Sequence, residues 1–336
     1  MHMNRRRAIG LMGATAATGL AAPALAQARP LTVGALRFTS HAPTFLAIEN
    51  GHFTEAGLDV AIEYFQAAQP MAVAIASGDV DYAMTAISGG LINLAARGAV
   101  KVIGGGLSEE QGIDGQAILV SDAAYQAGVT TPAGLGGRRF GMTTAGSSFH
   151  YMGSRMAGAE GIEMQFVPLQ TVGAVIGALR TGQVDGWAIV PHIASGLVAS
   201  GEVHEVGKVA DYLPGYQVTT VFGSTANVAD RGLTEAFLGA LSAGIADYNA
   251  TMIAREAGED GVRAMAETLA PYVYPDRTVE DAVGPVVAGT MRLNEGAALN
   301  MGSVRDQLDW FQSEGLIDAA VTIEDLVDAS YVETIG

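Results

Sequence analysis

The feature that most limits the folds open to this chain is an alternation. From Leu31 to about Phe222, short apolar runs take turns with stretches of helical periodicity. Leu31 to Leu36 reads as a buried strand, and Ala42 to Asn50 as a helix after a Thr39-Ser40-His41 turn. Val60 to Tyr64 is a strand with alternating apolar positions, followed by a helix at Pro70 to Ser77. Val80 to Met84, Lys101 to Ile103 and Ala117 to Val120 read as further strands, with a helix from about Gly90 to Arg97. Strands alternating with helices of this length imply βαβ units and a mainly parallel sheet.

The pattern then restarts. Thr131-Pro132 opens a short helix, Arg139 to Met142 is a strand, and Ser148 to Glu160 a helix. Gln165 to Val167, Val172 to Arg180, Val184 to Ile189 and Pro191 to Ser200 continue as strand, helix, strand, helix. After Leu233 the chain is helical, with a long helix from about Thr234 to Glu256 and others around Val262 and from Val304 to Glu314. The expected fold is therefore α/β, with two lobes and a central cleft. The stretches near Ile118 to Ser121 and Tyr212 to Thr220 are read as two crossovers, and the C-terminal helices as packed back on the first lobe. The lobes are expected at 30–118 with 220–336, and at 119–219.

Residues 1–28 read as a signal peptide. Arg5, Arg6 and Arg7 form a positive n-region, Ile9 to Ala22 is an apolar run of mostly Ala and Gly, and Ala24-Leu25-Ala26 and Ala26-Gln27-Ala28 offer cleavage sites. The consecutive arginines also resemble a twin-arginine export signal. The run is shorter than the ~20 apolar residues a bilayer core requires. Export to the periplasm is the expectation.

The formal net charge is −17, and −20 once the three signal arginines are gone. Only two lysines occur, Lys101 and Lys208. Nucleic acid and anionic membrane surfaces need a basic face, so neither is an expected partner. There is no cysteine, so stability must come from core size, not cross-links. A small anionic ligand would have to be held by local donors such as helix N-termini.

In open α/β sheets ligands sit beyond the carboxyl ends of strands. Three such loops carry small hydroxyl residues: Thr39-Ser40-His41, Thr85 to Ser88, and Thr143 to Ser148. Each is an ordinary helix-capping composition on its own, and three converging on one cleft point to binding. Arg37 follows the first strand and could make a bidentate pair with a carboxylate or sulfonate, or with a surface acid. Trp187 ends a strand, with its ring either in the cleft or in the core. His41, His150 and His192 fall at helix starts on cleft loops. They read as hydrogen-bonding residues in preference to a zinc site, so no metal or cofactor is expected. Gly104-Gly105-Gly106 lacks the spacing of a dinucleotide loop and reads as a turn at the cleft rim.

Several motifs resemble one family in wording and order. Glu49-Asn50-Gly51-His52-Phe53 with Gly57-Leu58-Asp59-Val60, and Ala76-Ser77-Gly78-Asp79-Val80-Asp81, stand in the first half. Gly146-Ser147-Ser148-Phe149-His150-Tyr151 and Gly182-Gln183-Val184-Asp185-Gly186-Trp187-Ala188 follow, and Gly315-Leu316, Leu326-Val327-Asp328 and Tyr331-Val332 close the chain. From about Leu31 to its end the chain resembles the ABC-importer solute-binding proteins for aliphatic sulfonates, taurine, nitrate and thiamine-pyrimidine precursors.

The resemblance implies a type II periplasmic-binding-protein fold that closes on its ligand. The ligand's acidic group would be held at Ser147, Ser148 and the following helix. Two departures fall in the expected pocket. Val190 stands directly before Pro191 and His192 where sulfonate binders often carry a second Trp and an Asp, and a Gly-Asp pair near Thr85 to Ser88 is missing.

The function this implies is capture of a small organic anion, with an ABC permease as partner and a monomeric binding protein that does no chemistry. The candidate ligand-binding residues are Arg37, Thr39, Ser40, His41, Thr85, Ser88, Ser147, Ser148, His150, Trp187 and His192. Two alternatives stay open: a binder of a thiamine-pyrimidine precursor or other neutral heteroaromatic, and a sensor module on the same fold. Pyrimidine-synthase enzymes of this fold use a lysine and a cysteine-rich stretch. This chain has no cysteine and no lysine before Lys101.

Overall fold

The computed structural model describes residues 28–113 and 115–336, so the signal-peptide reading lies outside the described residues apart from Ala28. Ten strands build two five-stranded sheets: β1 (Arg29–Ala35), β2 (Leu58–Tyr64), β3 (Tyr82–Thr85), β4 (Val100–Gly105), β5 (Ala117–Ser121), β6 (Arg139–Met142), β7 (Gln165–Pro168), β8 (Gly186–Ile189), β9 (Val203–Lys208) and β10 (Thr220–Ser224). The first sheet runs β2-β1-β3-β10-β4 and the second β7-β6-β8-β5-β9.

The two orders are the same plan used twice. In the first sheet β1 pairs in parallel with β2 and β3, through right-sized helical crossovers at Ala42–Glu49 and Ala68–Ser77. In the second, β6 pairs in parallel with β7 and β8. Each sheet is mainly parallel, as expected, with one strand running the other way. β10 lies antiparallel between β3 and β4, and β5 antiparallel between β8 and β9. Each antiparallel strand is the first one laid down after the chain arrives from the other lobe. Periodicity reports burial and not strand direction, which is why sequence reading missed it.

Burial follows position in the sheet. β2 is an edge strand and alternates, with Leu58 buried and Asp59, Ala61 and Glu63 exposed. β3 sits between β1 and β10 and is buried at all four positions. Tyr82 of β3 stacks on Phe237 at 4.2 Å between ring centroids and gives its hydroxyl to a hydrogen bond with Thr234 Oγ1. Phe237 belongs to the helix Arg231–Tyr248, which packs across the helix Ala42–Glu49. The two backbones meet at Gly244, where a Cβ would stand 2.3 Å from the Pro43 carbonyl oxygen. The long C-terminal helix ends at Tyr248 and loosens into one π-turn, Asn249–Ile253, instead of continuing to Glu256.

The crossings form a two-stranded ribbon, with 106–113 and 115–116 going out and 209–219 returning. Gly106 N–H donates to Thr219 O at 2.9 Å, Val218 N–H to Leu107 O at 2.8 Å, and Glu109 N–H to Tyr216 O at 2.8 Å. The outgoing crossing precedes the expected stretch, because Ile118–Ser121 is part of β5. Gly104 and Gly105 end β4 and are not a rim turn. A Cβ on Gly105 would lie 2.2 Å from Ala298 O, so the glycine lets the C-terminal segment close over the start of the crossing. Gln217, fully buried on the return crossing, donates to Leu107 O and Thr219 O, and its Oε1 accepts from Asn294 Nδ2 and Asn300 N. The ribbon is thereby tied to the C-terminal segment. Among the described residues no helix is long and apolar enough to cross a membrane.

Candidate functional site

The lobes meet over a partly open cavity with about 530 Å³ of non-atom space, solvent at its mouth included. Leu36, Phe38, Ser40, His41, Thr85 and Ala86 come from the first lobe, and Thr143, Ser147, Ser148, Phe149, Ile189 and Val190 from the second. Gln116, Val218 and Thr219 close it from the crossings. The position obeys the switch-point rule, since Thr85 ends β3, Ile189 ends β8 and Thr143 follows β6.

Among the described residues no Asp, Glu, Lys or Arg is in this lining. Its polarity comes from hydroxyls. Those of Ser40, Thr85, Thr143 and Ser148 make no hydrogen bond with any described residue. Ser147 is the N-cap of the helix Ser148–Glu160, its Oγ accepting from His150 N at 3.4 Å. A second helix, Ala68–Ser77, starts at the cavity with no side-chain cap at Ala67, and both Ala67 and Ala68 line the wall. Two helix N-termini with unpaired N–H groups therefore border one small space.

Among the described lining residues His41 is the one ordinarily titratable side chain. Its ring makes no hydrogen bond with a described residue, and Nδ1 is wholly buried. Burial pulls its pKa down to about 3, so the ring is neutral. His192 is likewise held neutral, near 3, first by burial and then by repulsion from His41.

Five of the eleven sequence-predicted residues come together in the wall: Ser40, His41, Thr85, Ser147 and Ser148. The other six stand behind it or away from it. Thr39 Oγ1 donates to Gly289 O at 2.9 Å and lies 3.1 Å from His192 Nδ1, a contact that joins the lobes. Its hydroxyl is donating already, so the His192 Nδ1 proton points at it and His192 Nε2 is left buried without a partner. Arg37 is turned away, stacked 3.6 Å from the Tyr64 ring centroid and donating to Tyr272 O. Ser88 caps the helix Gly89–Ala96. His150 accepts from Gly146 N and packs edge-on against Trp310. Trp187 is fully buried in β8 and packs behind Phe149 at 5.3 Å. The three histidines do not form a cluster, and among the described residues no group of three or more His, Asp or Glu could hold a metal ion.

Sequence reasoning missed Gln116, Thr143 as a lining group distinct from the cap, and Thr219. Thr219 Oγ1 accepts from Leu107 N at 2.7 Å, inside the crossing ribbon. The lobes touch directly beside the cavity: Gly89 N–H donates to Gly146 O at 2.9 Å, between the starts of two helices from opposite lobes.

Residues 38–251, the span that supplies every lining residue but Leu36, match the profile of the NMT1/THI5 like family. The chain belongs to that family. No curated protein sequence matches it. Solved structures share the fold at low identity. The alkanesulfonate-binding protein SsuA from Xanthomonas axonopodis pv. citri, bound to MOPS, is 18% identical with a TM-score of 0.68, over 90% of this chain and 98% of that one. The periplasmic nitrate-binding protein NrtA from Synechocystis PCC 6803 is 13% identical with a TM-score of 0.67, over 89% and 84%. The desulfurization enzyme DSZB is 16% identical with a TM-score of 0.58, over 90% and 97%. The type II periplasmic-binding-protein fold of this chain is that of the sulfonate and nitrate binders.

Proposed function

We propose that this family member is the solute-binding component of an ABC importer, working in the periplasm as a monomer and delivering a small organic anion to a permease. The observation that carries the reading is the cavity wall. Four unpartnered hydroxyls, from both lobes, surround a space at two helix N-termini, with no charged side chain among the described lining residues. Such a wall can meet oxyanion charge with local hydrogen bonds while its apolar part takes an organic body. The lobes would be 30–118 with 220–336, and 119–219, hinged on the crossings.

The named proteins of similar fold that bind sulfonates and nitrate support an anion. A second reading has its own observation. With no Arg or Lys among the described wall residues and His41 neutral, a flat neutral heteroaromatic such as a pyrimidine precursor would also fit. Catalysis is poorly supplied: among the described wall residues His41 is the only candidate base, and burial keeps a proton off it. DSZB shows that an enzyme can use this fold, so the wall chemistry, not the fold, favours binding.

The test is native mass spectrometry of freshly purified protein, then thermal shifts with ethanesulfonate, taurine, nitrate, benzoate and aminopyrimidine. A ligand at 100 times its Kd stabilises by about 2.7 kcal/mol. A shift with aminopyrimidine alone would move the assignment to the neutral heteroaromatic, and solvent-exposed turnover of any of them would overturn the binding reading.

A further inference from the structure

Behind the cavity wall lies a carboxyl group that the binding reading does not use. Glu109 sits on the outgoing crossing with 1% of its surface exposed. Its Oε1 accepts two hydrogen bonds from one residue: the Gln116 backbone N–H at 3.2 Å and the Gln116 side-chain Nε2–H at 2.9 Å. Its Oε2 is buried with no partner, and Gly115 lies so close that a Cβ there would stand 2.3 Å away. Gln116 lines the cavity. Its Oε1 takes no hydrogen bond from any described residue.

An ionised carboxylate only accepts, so the end of the Gln116 amide that touches it must be the NH2. The oxygen is then the end left for the cavity. We propose that Glu109 is a positioning residue that holds the Gln116 amide with its oxygen toward the ligand, so that this wall selects an organic anion carrying an N–H or O–H donor. The proposal rests on the solute-binding reading and narrows it. The other polar groups of the wall can donate or accept by rotation, whereas Gln116 is fixed by a partner outside the cavity.

The fixing depends on the Glu109 proton. Burial pushes this carboxyl up to about 7, against the hydrogen bonds from Gln116 and the attraction of Lys208 on β9. The other groups facing it are the Tyr216 hydroxyl, buried without a partner on the return crossing, and Arg292, Glu110, Glu295 and Glu333 around the hollow on the hinge side. Glu109 borders that hollow, so proton exchange does not require the ligand cavity to open. Once protonated, Glu109 can donate to Gln116 Oε1, and a half-turn of the amide puts NH2 toward the ligand. Donor selection is thus strongest above neutral pH and fades below it.

The experiment has two arms. In the first, glutamine side chains are 15N-labelled and the Gln116 NH2 signals, assigned by their loss in Gln116→Ala, are followed from about pH 5 to about pH 9. They should titrate near neutrality in the wild type and stay fixed in Glu109→Gln. Signals that do not move overturn the proposal without reference to any ligand. In the second, taurine and ethanesulfonate share a sulfonate head, and only taurine brings N–H donors. Taurine should be preferred by about tenfold at high pH and much less at low pH. Glu109→Gln should flatten that pH profile, Glu109→Asp should restore part of it, and Gln116→Leu should abolish the preference. A preference that survives Gln116→Leu would mean that the Glu109 charge acts directly on the ammonium, and would overturn the positioning role. If neither sulfonate binds, the anion reading fails, while the first arm still decides the Glu109 assignment.

Discussion

Two adjacent serines at one helix start make opposite predictions. Ser147 is the N-cap of Ser148–Glu160, with its Oγ 3.4 Å from His150 N, a long and therefore weak bond. Ser148 is half-buried in the cavity wall and its hydroxyl has no partner among the described residues. Ser147→Ala removes a cap, which costs about 0.5–1 kcal/mol of folding stability at this length. Ser148→Ala removes nothing that the unliganded protein uses. Against an anionic ligand it removes a charge-assisted hydrogen bond worth roughly 1.5–3 kcal/mol, so affinity should fall about tenfold to a hundredfold. Isothermal titration with the sulfonate found in the thermal-shift panel gives the affinity, and urea unfolding gives the stability. The reasoning fails if Ser148→Ala lowers the unfolding midpoint while leaving affinity unchanged.

Other positions separate binding from folding in the same way. Arg37→Met should leave ligand affinity unchanged and cost about 1 kcal/mol of stability, because the guanidinium is spent on Tyr64 and Tyr272 and not on the cavity; a clear loss of affinity in titration would contradict this. Gly244→Ala forces a Cβ against Pro43 O and should destabilise by about 1–3 kcal/mol in urea unfolding, with binding retained by whatever remains folded. His192 has a folded pKa near 3 and an ordinary value of 6.5, so the unfolded chain binds more protons between those limits. Its contribution is present above about pH 6.5 and is lost as pH falls toward 3. His192→Gln should therefore flatten the acid side of the stability curve, and an unchanged slope would show that the ring is not held neutral.

How far the sequence could be read depends on what kind of signal each element emits. The bounds of the strand Arg139–Met142 and of the helices Ser148–Glu160 and Val172–Arg180 agree with the structure, because each helix is opened by a hydroxyl cap, Ser147 or Thr171. β9, Val-His-Glu-Val-Gly-Lys, went unread: an edge strand with polar faces has neither an apolar run nor clean alternation. Within Gly104-Gly105-Gly106, Gly105 allows a close approach to Ala298 O, a contact from nearly two hundred residues away that no local pattern encodes. Trp187 sits beside Ala188 on the same short strand, and period two cannot say which of two buried faces is core and which leads to the cleft. Gln116 and Thr219 lie on irregular crossings, where there is no periodicity to follow, and only the paired backbone bonds of the ribbon place them at the cavity.

The acidic surface and the anion-binding reading look opposed, and the geometry separates them. Surface charges act over a Debye length of about 8 Å at physiological salt, so a formal net charge of −17 slows the approach of an anion without setting the energy of a bound complex. Inside, the wall has no carboxylate among the described residues, and Glu109 behind it is bound to Gln116 and raised toward neutrality by burial. The helix N-termini at Ser148 and Ala68 border the cavity, and a ligand that displaces its water would meet their N–H dipoles at low local dielectric. Recognition can therefore be local and strong while the long-range field is repulsive. The consequence is kinetic. Added salt should speed association by screening the surface and leave dissociation, governed by hydroxyl and amide hydrogen bonds within the closed cavity, nearly constant.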